Sequence, residues 1–232
     1  MVPEVTRRKF LGAAGTVAAV GAGANAALAV EPSEASQRKP VKVIGICCSP
    51  RKGRSTATAL EACLEAAREV AVETELIELA GMQIPGEPAA GVPLAPNQQD
   101  DFPKLVPKLS EPSVAGIIIG TPVYFGNMSF LCKAFLDRCN VFRRNFGLSN
   151  KVGGVVAVAG GRNGGQELTI RSVHTCLLGQ EMIIVGDGQP GGHWGGTVWS
   201  GAPGGVTKDE YGMKTVKNLG RRVAQVAVKV HG

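Results

Sequence analysis

"VKVIGICCSPRKGRSTATAL" (Val41 to Leu60) changes character abruptly in its middle. Eight mostly apolar residues, Val41 to Cys48, read as a buried strand. Ser-Pro-Arg-Lys-Gly-Arg-Ser-Thr follows, and then an alanine-rich, helix-favouring run. A helix N-terminus presents unpaired N–H groups and a partial positive charge, so it binds anions. Ser49, Ser55 and Thr56 add hydroxyl donors, Gly53 lets the backbone wrap closely, and Arg51 offers a charged fork for phosphate oxygens. The loop has no Gly-Lys-Ser/Thr, which argues against a nucleoside triphosphate, and no G-x-G-x-x-G turn for a dinucleotide. What suits it is a terminal phosphomonoester, weighed against a solvated turn with an ordinary Ser/Thr helix cap.

Four more apolar runs follow: Glu73 to Ala80, Val114 to Gly120, Val152 to Ala159 and Glu181 to Val185. They are short, rich in β-branched residues and bounded by Gly, Pro or Ser, as strands are. Glu73 to Ala80 alternates, in the manner of an edge strand. Between the runs, Ser55 to Ala71, Met128 to Cys139, Gly164 to Leu178 and Lys208 to Val230 read as helices. Asp100 to Leu109, with Pro103 and Pro107, makes a shorter one. Strands alternating with helices predict an α/β protein, a doubly wound five-stranded parallel sheet in the order 2-1-3-4-5 within three α/β/α layers. Such sheets bind ligands at their carboxyl edge. Three stretches are too long and too rich in glycine and proline for plain connections: Gly81 to Gln99, Gly160 to Gly165 and Gly186 to Gly205.

Two further loops leave the same expected edge. "GTPVYFGNMSFLCKAFLDR" (Gly120 to Arg138) follows the third strand and "AGGRNGGQE" (Ala159 to Glu167) the fourth. With "SPRKGRST" they resemble the flavodoxin-like superfamily of NAD(P)H-dependent FMN reductases and iron–sulfur flavoproteins, over about residues 41 to 230. The resemblance implies a flavodoxin-like fold and bound FMN. Ser49, Arg51, Ser55 and Thr56 would hold the phosphate, with Gly53 shaping the loop. Pro122, Val123, Tyr124, Phe125, Gly126 and Asn127 would line the isoalloxazine and ribityl chain. Gly160, Gly161 and Gly165 would close the other side of the ring. It also implies an FMN-dependent oxidoreductase that draws on NAD(P)H and passes electrons to a quinone, small molecule or protein, and it implies a homodimer. A non-enzymatic exported electron carrier is the alternative. No general acid or base is assigned.

The N-terminus departs from that picture. "TRRKF" and 21 uncharged residues from Phe10 to Val30 end near Ala27-Leu28-Ala29, a small-x-small cleavage pattern. Arg7-Arg8 resembles a twin-arginine export signal, which implies a folded protein delivered to a bacterial periplasm. Residues 1–29 are thus read as signal, with an uncleaved N-terminal anchor as the alternative, 30–40 as a polar tether and 41–232 as the functional domain. An exported protein would not ordinarily meet NAD(P)H, so a quinol or another membrane-linked carrier becomes a candidate donor.

The chain's 232 residues are 44% apolar, enough for one substantial core. Its net charge of +6 is scattered, Arg143, Arg144 and Lys151 being the one notable cluster, and reads as a solvated face rather than a nucleic-acid site.

The family's iron–sulfur members carry their cysteines in the loop after the second strand. Gly81 to Gln99 has none, which excludes a cluster in that place. The six cysteines and three histidines show no metal-ligand spacing. Cys132 and Cys139 share a helical face about 10 Å apart, beyond disulfide reach, and the cysteines read as small buried hydrophobes. His174 reads as a surface residue. In "GQPGGHWGGTVWSGAPGG" (Gly188 to Gly205), Trp194 and Trp199 either cover a flavin face or merely pack, with His193 beside them.

Overall fold

A computed structural model describes residues 40–232; the expected signal segment and residues 30–39 of the tether lie outside that range. Strand β1 (Lys42–Cys47) sits between β2 (Glu73–Glu78) and β3 (Val114–Tyr124), parallel to both. Its side chains alternate between two cores. Ile44 and Ile46 face one, with Ile117, Ile119 and Val155, under Phe102, Phe135 and Ile170. Val43 and Cys47 face the other, with Ile118 and Val156, under Leu60, Leu64, Leu219 and Val223. That alternation fixes three layers. Helices α1 (Ser55–Arg68) and α5 (Glu210–His231) cover one face of the sheet. The short α2 (Val106–Leu109), α3 (Phe130–Arg138) and α4 (Gln166–Leu178) cover the other. No helix of the described residues is long and apolar enough to cross a membrane.

The five-stranded order 2-1-3-4-5 needs correction. Among the described residues the sheet has seven strands: the path β2-β1-β3-β5-β6, with β4 (Asn127–Met128) paired to β3 and β7 (Gly196–Trp199) paired to β5 (Val152–Ala159). The expected fifth strand shrinks to β6 (Ile183–Ile184), beside Val152 and Gly153, while β7 runs beside Val156 to Ala159. Two short segments thus share one edge of β5. Glu181 has left-handed backbone, φ 61°, so the strand cannot start there. Beyond Val185 the chain turns out through Gly186-Asp187-Gly188 and returns only at Gly196. The outer edge of β7 is closed by side chains: Thr197 N–H donates to Thr215 Oγ1 at 2.9 Å and Trp199 N–H to Asp209 Oδ2 at 2.7 Å.

Two surface expectations fail as well. Lys151 is buried, its ammonium on the Val114 carbonyl, so it forms no patch with Arg143 and Arg144. His174 is only 8% exposed, and its Nε2 has no hydrogen-bond partner. Burial pushes its pKa down from 6.5 to about 4. The unfolded chain therefore takes up this proton first as pH falls. The contribution from His174 is expected to be complete above pH 6.5 and to be lost between 6.5 and 4, by up to about 3 kcal/mol. Urea unfolding at pH 7.5 and 4.5 is expected to show that loss, and His174→Gln is expected to reduce it.

All six cysteines are free, and five are buried. Burial pushes the Cys47 thiol up to about 11, and the Cys48, Cys63 and Cys139 thiols are also raised by burial. These are packing residues without thiolate reactivity.

Candidate functional site at the carboxyl edge

Parallel pairing places the three loops on one rim. Cys47 lies opposite Gly120, Gly120 opposite Val156, and Pro122 opposite Val158. The loops after β1, β3 and β5 all leave from there.

In the first loop Ser49 is buried and its Oγ accepts from Arg51 N–H at 3.1 Å. That hydroxyl shapes the turn. Arg51 is exposed, Ser55 half-buried and Thr56 buried at the start of α1. The residue preceding the helix, Arg54, makes no side-chain cap, and the first turn holds no acidic residue. The leading N–H groups of α1 are therefore not capped by a side chain, a costly arrangement unless something else takes them. Gly53, at φ 62°, donates its N–H to Glu78 Oε2 at 2.8 Å. A carboxylate already rests on one loop amide.

The second loop is a two-residue hairpin. Val123 pairs with Met128 and Tyr124 with Asn127, and the turn residues Phe125 and Gly126 have φ of 51° and 75°. Both central residues are left-handed, which matches the twist of paired strands. Glycine accepts this freely; phenylalanine does not, and its ring is fully exposed. Below the turn, Ser129 caps α3 and fastens two loops together. Its Oγ donates to the Cys48 carbonyl at 2.7 Å and accepts from Cys132 N–H at 3.1 Å, while its own N–H reaches Thr121 Oγ1 at 3.0 Å. Ser129→Ala strands a buried carbonyl and a buried N–H. It is expected to cost about 2 kcal/mol in denaturant unfolding.

In the third loop Gly160 and Gly161 border open space, whereas Gly165 backs onto the hairpin. A methyl group there would stand 3.2 Å from Gly126 Cα, so these two loops touch. Gln166 holds the loop's shape: Nε2 donates to the Gly161 carbonyl at 2.8 Å, and Oε1 accepts from Gly164 N–H at 2.9 Å. The Trp199 indole donates to the Gly160 carbonyl at 2.8 Å. Arg162 pairs with Asp209, whose other bonds cap α5 and close β7.

The expected residues therefore lie on one rim, with Ser49 directed into its own turn. Reading the sequence missed Ser129, Gln166 and Asp209. Ser129 and Asp209 each stand just before an amphipathic helix, the usual place of a cap, and that signal was available. Gln166 carried none.

The model of the NADPH-dependent FMN reductase family matches residues 41–194. An iron-sulfur flavoprotein of Methanocaldococcus jannaschii is 42% identical over 191 residues, covering 80% of this chain and 97% of that protein. Another, from Methanosarcina thermophila, is 37% identical over 193 residues, covering 80% and 95%. Among solved structures, the flavodoxin, WrbA-like protein from Agrobacterium tumefaciens aligns with a TM-score of 0.57 at 20% identity, over 82% of this chain and 99% of that one. This last likeness is one of fold, a flavodoxin-like α/β/α sheet. A family match across most of the domain, and relatives aligned over nearly their full length, make this chain a member of the NADPH-dependent FMN reductase family.

Proposed function

We propose that the three loops hold FMN and that the domain is an FMN-dependent oxidoreductase. Ser49, Arg51, Gly53, Ser55 and Thr56 form the phosphate end, Pro122 to Asn127 run along the ring and ribityl chain, and Gly160, Gly161 and Gly165 border the opposite side. The observation that carries this reading is the uncapped start of α1 beside a loop amide that already bonds a carboxylate, Glu78. A donor set of helix N–H groups, hydroxyls and one guanidinium suits a phosphate dianion. FMN, when bound, supplies the redox chemistry. The chain's own residues bind it, orient it and limit water around it.

Electrons pass on this reading from NAD(P)H, or from a quinol or membrane-linked carrier, to a quinone, a small molecule or a protein. Export through the twin-arginine pathway favours the quinol. Homodimer formation is supported by Phe125, Phe130 and Leu168, large apolar side chains left exposed near the rim. Relatives named iron-sulfur flavoproteins bring no cluster into the proposal, because Gly81 to Gln99 contains no cysteine.

The test is the visible spectrum of the purified protein, followed by anaerobic titration with NADH, NADPH and a reduced quinone. A flavin spectrum and steady turnover support the enzyme. A flavin spectrum without turnover points to the electron carrier. A colourless protein that takes up no added FMN overturns the proposal.

A further inference from the structure

Three side chains outside the proposed flavin loops are joined end to end. The Tyr211 hydroxyl stands 2.6 Å from His193 Nε2, and His193 Nδ1 stands 3.0 Å from Asp187 Oδ2. Asp187 also accepts the His193 backbone N–H through Oδ1. The carboxylate is fully buried, the imidazole 26% exposed and the phenol about half exposed. A carboxylate on Nδ1 orients the ring and leaves Nε2 facing the tyrosine.

The surrounding backbone is wound tightly over this pair. A methyl group on Gly191 would stand 2.2 Å from Asp187 Oδ2 and 2.9 Å from His193 Nδ1, and one on Gly186 would stand 2.2 Å from the His193 carbonyl. Glycine is required at both places because the pair and its backbone occupy the space. Part of the glycine richness between β6 and β7 follows from that.

The chain of bonds ends beside the third loop. Arg162, a residue of that loop, lies 5.3 Å from the centre of the Tyr211 ring. Tyr211 shares a cleft of about 340 Å³ with Arg162, Gly165, Gln166 and Thr197. His193 also borders a recess of about 550 Å³ along α4, lined with Arg171, His174 and Trp194. A buried carboxylate is costly, and holding a surface loop to α5 does not demand one.

We propose that Asp187, His193 and Tyr211 form a proton relay for a quinone-type acceptor, with Tyr211 the catalytic proton donor and His193 and Asp187 positioning residues. The proposal rests on the flavin reading above. A quinone becomes a hydroquinone by taking up two electrons and two protons. Delivery of a hydride equivalent supplies both electrons and one proton, leaving one acceptor oxygen as an anion. That oxygen takes the Tyr211 proton: one O–H bond breaks on the tyrosine and one forms on the acceptor. With the imidazole protonated, Nε2–H returns a proton to the phenolate. His193 keeps its Nδ1–H bond to Asp187 and regains the Nε2 proton from water, which leaves as hydroxide, so solvent supplies the second proton. One-electron acceptors such as ferricyanide need no proton.

The test uses the FMN-loaded protein with benzoquinone and with ferricyanide. Tyr211→Phe keeps the ring beneath Arg162, and the ratio of quinone to ferricyanide turnover is expected to fall about 100-fold. His193→Gln should lower the same ratio. A second readout needs no flavin. Imidazole ¹H–¹⁵N spectra of the flavin-free protein should place the neutral His193 proton on Nδ1, with the Nε2 resonance moving in Tyr211→Phe. A ratio unchanged in Tyr211→Phe, or a neutral His193 whose single ring proton sits on Nε2 rather than Nδ1, overturns the relay alone. A wild-type protein that takes up no FMN overturns the relay together with the flavin reading.

Discussion

Ser55→Asp is expected to weaken FMN binding by about 100-fold or more while the fold becomes slightly more stable. Helix α1 starts without a side-chain cap and with no acidic residue in its first turn. An aspartate there would place a carboxylate among the leading N–H groups and meet the phosphate with like charge. A 100-fold loss corresponds to about 2.7 kcal/mol, the size of one or two hydrogen bonds to a charged group. The same carboxylate, without ligand, complements the helix dipole and should add about 0.3–1 kcal/mol to stability. Opposite signs separate lost binding from lost folding. Flavin fluorescence titration and a thermal melt read the two effects, and riboflavin, which has no phosphate, should bind the variant and the parent alike. Undiminished FMN binding by Ser55→Asp would remove α1 from the phosphate site.

The largest expected stability loss lies where α1 and α5 cross. A methyl group on Gly220 would stand 1.9 Å from the Cys63 carbonyl oxygen and 2.8 Å from its carbon, both backbone atoms of α1. Neither can swing aside as a side chain can. Gly220→Ala must push the helices apart and open the contacts among Leu60, Leu64, Leu219 and Val223, all essentially inaccessible. Overpacking of this kind costs about 3 kcal/mol, which lowers Tm by about 6–12 °C in a domain of this size. Helix propensity alone predicts the reverse, a gain of about 1 kcal/mol for alanine over glycine. The sign of the Tm change decides. A Tm held or raised would mean that the two helices do not approach as described.

Most of the frame was legible in the sequence because burial on both sides leaves a plain record. β1, β3 and β5 are runs of β-branched residues, and α1, α3, α4 and α5 fall where helical spacing put them. β7 left no such record. Gly-Thr-Val-Trp is four residues long, and its edge is closed by Thr215 and Asp209 of a later element. β6 was cut short by one left-handed residue, Glu181.

His174 was readable and misread. Ile170, Val173, His174 and Leu177 form one stripe at i, i+3, i+4 and i+7, and all are buried. Polarity alone had placed the histidine outside.

At the rim, hydroxyls, glycines and the arginine were visible as types in a row. Their fastening was not. Ser129 holds the Cys48 carbonyl across 81 residues of sequence, and Trp199 holds Gly160 across 39. Such bonds exist only once β1, β3, β5 and β7 lie side by side. The relay from Asp187 to Tyr211 is hidden for the same reason, since His193 and Tyr211 stand 18 residues apart on different elements.

The most direct measurement is a backbone ¹H–¹⁵N titration of the flavin-free domain with FMN. The largest shifts are expected together, at one stoichiometric FMN, in Ser49 to Thr56, Val123 to Asn127 and Gly160 to Gly165. Shifts confined to the recess beside Arg171 and Trp194, or none at all, would contradict a flavin seat at the carboxyl edge.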